Sequence, residues 1–377
     1  MPELTRRAAL KSGIAAAVAS PMINRGSFAF AAAPGRTYSA RAIKVVRESL
    51  VIDMLAPLKL DFDPKFFDRP FGPKALAEFK ASGITGFHHS VGIGGPGAKT
   101  QALDFLASFQ GWVGRQADDF TLVGIAGDLD HAKAEGKAAI IMGLQNAEQF
   151  ETADDVRYFY RLGLRCAQLT YNSQNLIGSG STDRADGGVS DFGEAIIKAM
   201  NATGMLVDTS HCGERTTLDA IALSPRPIAV THSNCKALNP HPRNKSDEVI
   251  RNLAAKGGVM GITGVRMFIK ATDPTTVADM ADHVEHVAKL VGVEHVGIGS
   301  DADLNGYDDM PPDQYKQLKA GYKSTYAFRD KIDIDGFDHP QKIYDLTEEL
   351  IRRGYSDTHI SMVLGENFRR LLGATWI

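Results

Sequence analysis

A closed (β/α)8 TIM barrel of parallel strands is the fold this sequence predicts, and three observations point to it. Eight short apolar segments of β type alternate with segments of helical periodicity, without a repeated hairpin signal. Two neighbouring segments, Leu206-Val-Asp-Thr-Ser-His211 and Ile228-Ala-Val-Thr-His-Ser-Asn234, each run straight into a histidine, with one helix's worth of chain between them. A third, His295-Val-Gly-Ile-Gly-Ser-Asp301, ends in a carboxylate. Imidazoles and an acid delivered from the C-terminal ends of parallel strands are what a catalytic metal site at a barrel mouth requires.

In chain order, helical spacing over 40–50 leads to a first strand at 50–54. A Pro/Asp/Phe-rich loop over 57–73 and a short helix precede a second strand at 84–89. Helical periodicity returns over 101–116 and 128–135, followed by a near-continuous apolar run at 138–144, the mark of a strand covered on both faces. The rhythm then holds: helix 152–163 before strand 166–170, helix 190–203 before 205–208, and helix 213–223 before 227–230. Helix 246–256 precedes strand 258–263, helix 276–291 precedes 296–299, and helices at 340–353 and 357–372 end the pattern. A doubly wound open sheet is the competing architecture, but it binds at one switch point, and the candidate residues are spread over too many strands for that.

The 377 residues carry 44% hydrophobic and 23% charged residues, ordinary globular composition, and no Pro/Ser linker or charge block divides them. One barrel domain over 34–377 is expected. A formal net charge of -3 without a basic stripe argues against nucleic acid as a partner. Residues 1–33 differ from the rest: Thr5-Arg6-Arg7-Ala8-Ala9-Leu10-Lys11, then a mostly apolar, Ala-rich run, then small residues, the pattern of a twin-arginine export signal. The expected location is therefore periplasmic or secreted. That apolar run is too weakly hydrophobic to span a bilayer, and no later segment approaches ~20 consecutive apolar residues, so a transmembrane anchor is not expected. Three cysteines, Cys166, Cys212 and Cys235, make no disulfide framework and read as packing residues, with a bridge or soft-ligand role near the histidines as the alternative for the last two.

His211 and His232, at matching positions on adjacent strands, are the first candidate metal ligands. Asp301 has the reach to act as ligand or general base. Arg243, in His241-Pro-Arg-Asn244, can fork onto a substrate carboxylate. His88 and His89 end the second strand, so one of the pair faces into the barrel; His283 and His286 read as helix-surface or packing residues, Asp303 as a local hydrogen-bond acceptor, and Arg266 as positive charge at the mouth.

The ordered set Gly-Met-Leu-Val-Asp-Thr-Ser-His, Thr-His-Ser-Asn, His-Pro-Arg-Asn, His-Val-Gly-Ile-Gly-Ser-Asp and Leu364-Gly-Glu-Asn-Phe368 resembles the membrane (renal) dipeptidase family of the amidohydrolase-type barrels, over about residues 45–372. The resemblance implies a metal-dependent hydrolase that cleaves dipeptides with little regard to side chain, and a homodimer as one assembly. It also implies His211 and His232 as ligands of one zinc, Asp301 as ligand and proton-transfer base, and Arg243 as the grip on the substrate carboxylate. Three positions depart from the family pattern. Leu55-Ala56-Pro57 stands where the family carries a His-x-Asp ligand pair, Gln145 where it has a bridging glutamate, and Tyr171 where it has a substrate-contacting histidine.

Two dications held roughly 3.5–4 Å apart need a bridging carboxylate and further anions to offset their repulsion. Gln145 offers a neutral oxygen, and Leu55 and Pro57 offer nothing, so one Zn²⁺ is expected, on His211, His232, Gln145 or Asp301, and a water. Zinc would acidify that water, Asp301 would take its proton, and the Tyr171 hydroxyl would donate to the developing oxyanion. The sequence thus leads to an exported single-zinc hydrolase acting on a small, peptide-like, carboxylate-bearing substrate. The alternatives are a maturation enzyme for a secreted peptide natural product and a metal-free peptide-binding barrel.

Overall fold

The computed structural model describes residues 36–61, 64–307 and 310–377, together with Ser27–Ala29. Ser27–Ala29 pairs antiparallel with Thr37–Ser39, and the remainder of the expected export segment lies outside the described residues. Eight parallel strands close into a ring: β1 (Ile52–Asp53), β2 (Gly86–Val91), β3 (Ala138–Leu144), β4 (Cys166–Gln168), β5 (Leu206–Asp208), β6 (Ala229–Ser233), β7 (Val259–Ile262) and β8 (Val296–Ile298). Pairing runs in that order, and β8 closes on β1 through Ile298 opposite Asp53. All eight strands expected from the sequence are present. An unexpected ninth, Phe120–Leu122, pairs with Ala138–Ile140 at the start of β3, while β4 pairs with Gly143 and Leu144 at its end.

Local chemistry sets the helix starts. Ser39, Ser190, Ser246 and Ser356 cap their helices through side-chain oxygens, and Thr152 with Asp155 and Thr276 with Asp279 form capping boxes. The last helix, Asn367–Thr375, seals one end of the barrel. Phe368, Leu371 and Trp376 pack into a cluster with Ile52, Ile141, Leu206, Ala229 and Val259 from the strands. Asn367 donates to the carbonyls of Val293 and Val296, which ties that helix to the start of β8. The Leu364-to-Phe368 motif is therefore a plug.

Alternation along β2 decides the histidine pair. His88 points into the barrel, its Nδ1 2.6 Å from the Met54 carbonyl, whereas His89 stacks on Phe109 with ring centroids 4.1 Å apart. The interior has room for His88 because β3 carries Gly143 beside it. A Cβ there would stand 1.9 Å from His88 Nε2, and the ring cannot swing away while Met54 holds it. Gly143→Ala should therefore destabilise the barrel by about 2–4 kcal/mol, measured by urea unfolding, through overpacking in a full interior. A variant within 0.5 kcal/mol of wild type, on the ordinary scale of neutral surface changes, would show that the His88 layer is loose.

Residues 302–307 and 310–340, after β8, fold over the mouth through a short helix, Pro312–Ala320, and a turn at Ser324–Tyr326. Arg266 anchors this excursion. It is buried and not free at the mouth as expected, since its guanidinium pairs with Asp273, reaches Asp335 at 2.8 Å and donates to the Asp333 carbonyl. All three cysteines are free and buried.

Candidate active site at the barrel mouth

β5 and β6 place the two expected histidines against each other. His211 Nε2 lies 2.8 Å from His232 Nε2, and both rings are buried. Asp208 sets the relative position of these strands, because its carboxylate accepts from the backbone N–H and the hydroxyl of both Ser210 and Thr231, at 2.6–3.0 Å. With the Thr231 hydroxyl hydrogen committed to Asp208, its oxygen can only accept from His232 Nδ1–H, 2.9 Å away. His211 Nδ1 faces Asn172 Oδ1 at 2.8 Å. Each Nδ1 therefore carries the hydrogen, and two Nε2 lone pairs aim at one point.

That arrangement calls for a positive charge between the rings. Burial pushes both imidazole pKa values well below the usual 6.5, with Arg243 the next largest cause and Lys245 adding to it, so a proton is disfavoured there. A cation with an affinity for nitrogen fits the pair. Among the described residues, no group of three or more His, Cys, Asp or Glu is placed to hold a metal ion.

Two more expected residues share the cavity that His211 lines. Asp301 and Gln145 both face this space of about 1130 Å³. Burial raises the Asp301 carboxyl to about 7, with Arg243 opposing the shift and Asp53 reinforcing it. Gln145 donates through Nε2 to the Ser90 carbonyl, 3.2 Å away, which turns its amide oxygen away from that contact. Tyr171 stacks on His211 with centroids 4.3 Å apart, and its hydroxyl meets that of Tyr322 at 2.7 Å. Burial, with Asp301 adding to it, raises the Tyr171 pKa, so the hydroxyl stays protonated. Asn172 and Asp301 also adopt left-handed backbone, φ 59° and 60°, a conformation that Asn and Asp tolerate best among non-glycine residues.

Arg243 is placed differently from the expectation. It is fully buried and absent from the cavity wall: Nη1 donates to the Ser210 carbonyl, Nη2 to that of His232 at 3.4 Å, and the guanidinium lies over the Phe268 ring. In this arrangement it ties together the two strands that carry the histidines. Cys212 and Cys235 are not soft ligands either, because burial raises both thiols and their sulfurs contact Thr170 and the His283 carbonyl. His283 is a core residue, its two ring nitrogens bonded to Cys235 N–H and the Ile269 carbonyl, and His286 pairs with Asp247. Asp303 accepts locally from Asn305 N–H and also from Leu60 N–H.

Asp208, Thr231 and Asn172, which orient the imidazoles, are not among the residues expected from the sequence. The signal was adjacency, since each lies within three residues of an expected site residue. Tyr322 and Tyr326, which cover the mouth, come from a stretch without a periodic pattern.

A closed parallel barrel with paired imidazoles at its mouth is the architecture of the amidohydrolase-type barrels. The chain belongs to the membrane dipeptidase family, peptidase family M19, whose sequence model matches residues 70–320. It is 34% identical over 278 residues to Dipeptidase verJ of Clonostachys rogersoniana, covering 73% of this chain and 64% of that protein. It is 30% identical over 251 residues to Dipeptidase tcpJ of Claviceps purpurea, covering 66% of this chain and 53% of that one. The chain thus spans between about half and just under two thirds of these curated relatives. Among solved structures, an amidohydrolase from Pseudomonas aeruginosa superposes with a TM-score of 0.79 at 30% identity, over 89% of this chain and 99% of that one.

Proposed function

We propose that this protein hydrolyses the amide bond of dipeptides or similar small substrates with a free carboxylate, using one zinc ion at His211 and His232. The convergence of the two Nε2 atoms, with Asp301, Tyr171 and Gln145 on the adjoining wall, carries the reading. Bound there, with Gln145 or Asp301 and a water completing the ligands, zinc supplies acidification of the water and polarisation of the scissile carbonyl. Asp301, balanced near neutrality, takes the proton from the attacking water and returns it to the leaving amine. The protonated Tyr171 hydroxyl turns from Tyr322 to the carbonyl oxygen as negative charge develops. Arg243 holds the histidine strands in register, and its charge reaches Asp301 and Tyr171.

A panel of dipeptides and N-acyl amino acids, assayed with chelator and with added zinc, tests the reading. Zinc-dependent turnover of part of the panel is expected. Saturable binding without turnover under any metal would favour the binding barrel instead.

Export is part of the same proposal. Among the described residues no helix is long and apolar enough to cross a membrane. Replacing Arg6 and Arg7 with Lys should strand the protein in the cytoplasm, and unchanged distribution on fractionation would remove the twin-arginine route.

A further inference from the structure

The wall of the mouth away from the histidines is aromatic. The helix Ala98–Gly114 presents Gln101, Asp104, Phe105, Ser108 and Phe109 to the cavity, a stripe at helical spacing with its two rings side by side. Phe105 and Phe109 sit 6.0 Å apart and both face the ring of His89, at 5.6 and 4.1 Å. Phe67 closes the group edge-on against His89 and Phe109. His89 is a neutral ring of this wall, since burial depresses its pKa to about 3 and its Nδ1 accepts from Leu58 N–H, which leaves the Nε2 hydrogen without a partner among the described residues. The whole cavity, about 1130 Å³, exceeds the ~300–1,000 Å³ of drug-sized ligand pockets and far exceeds a dipeptide of small residues.

We infer that this aromatic wall is an acyl subsite, and that the preferred substrates carry a bulky apolar group, aliphatic or aromatic, on the carbonyl side of the scissile amide. The inference rests on the hydrolase reading for its chemistry, but the subsite itself is a binding claim. An apolar chain laid against Phe105 and Phe109 leaves water, and each methylene buried strengthens binding by about fourfold. A free α-ammonium against the same rings would lose its hydration, with the Asp104 carboxylate at the stripe's edge the nearest compensation on that helix.

The test is a series of N-acyl glycines from acetyl to decanoyl, with glycylglycine, which carries a free α-ammonium, as the charged control. Both kcat/KM and the calorimetric Kd are followed on the zinc-supplemented enzyme. Both should improve by between about twofold and fourfold per methylene until the wall is covered. Ser108→Phe, which adds a ring at an exposed cavity position without removing a core contact, should flatten the series at its long end. Phe105→Ala should lower the decanoyl-to-acetyl ratio of kcat/KM. Turnover indifferent to chain length, in wild type and both variants, overturns the subsite and leaves the hydrolase standing. Chain-length-dependent binding without turnover overturns the hydrolase and leaves the subsite.

Discussion

Asp301→Asn is expected to lower kcat/KM by about 10²- to 10⁴-fold, the range for losing a positioned general base. The substitution keeps shape and removes the carboxylate's charge together with its ability to take a proton. Asn also accepts the left-handed backbone of this position, so the loop after β8 should keep its course. The pH profile separates chemistry from structure. The carboxyl is raised to about 7 by burial, so in wild type kcat/KM should rise with pH as Asp301 ionises, at or below pH 7 once a cation lies nearby. In the variant that limb should vanish.

Stability should move in the opposite direction from activity. A carboxyl whose folded pKa exceeds its unfolded value holds its proton longer in the folded state, so its contribution is complete at low pH and is lost as pH rises from about 4 to about 7. Metal-free Asp301→Asn should therefore match wild type at pH 4 and exceed it at pH 8, by up to about 4 kcal/mol in urea unfolding. An active Asn variant removes Asp301 from the proton-transfer role, and one that unfolds more easily at pH 8 overturns the raised carboxyl.

The parts of this molecule that were legible in the sequence obey local periodicity. All eight strands announced themselves because a parallel strand buried on both faces must be apolar throughout, and β3, buried nearly end to end, is the clearest case. His211, His232 and Asp301 were legible for a related reason. A polar residue ending an apolar strand has one place to go, the mouth. Orientation was not legible. Arg243 follows β6 as expected, yet its guanidinium turns inward to the Ser210 and His232 carbonyls, a choice set by hydrogen bonds to residues 11 and 33 positions away. The excursion over 310–340 escaped for the same reason, since an ion pair from Arg266 to Asp335 and the packing of Tyr326 against Phe268 hold it.

The purified protein should bind one zinc per chain and not two, by elemental analysis after dialysis against the metal. Two dications ~3.75 Å apart repel by roughly 18 kcal/mol at an effective dielectric of 20, and only closely placed anions can offset that. Gln145 supplies none, and the segment after β1 supplies Leu55 and Pro57, with Asp53 accepting from Leu55 and Ser300 N–H and influenced by the Lys342 ammonium. One dication meets a different balance. Two neutral imidazoles already oriented by Asn172 and Thr231 offer their lone pairs to it, and their Nε2 atoms, 2.8 Å apart, would need to spread by only roughly 0.5 Å to suit tetrahedral coordination. His232→Ala should abolish the single equivalent, because His211 alone cannot hold the ion. Gln145→Glu should tighten it by about tenfold or more by adding an anion beside the site, yet still bind one ion, since the wall beyond remains apolar. Two zinc ions per chain in wild type would refute the charge argument, and none, with activity intact, would refute the site.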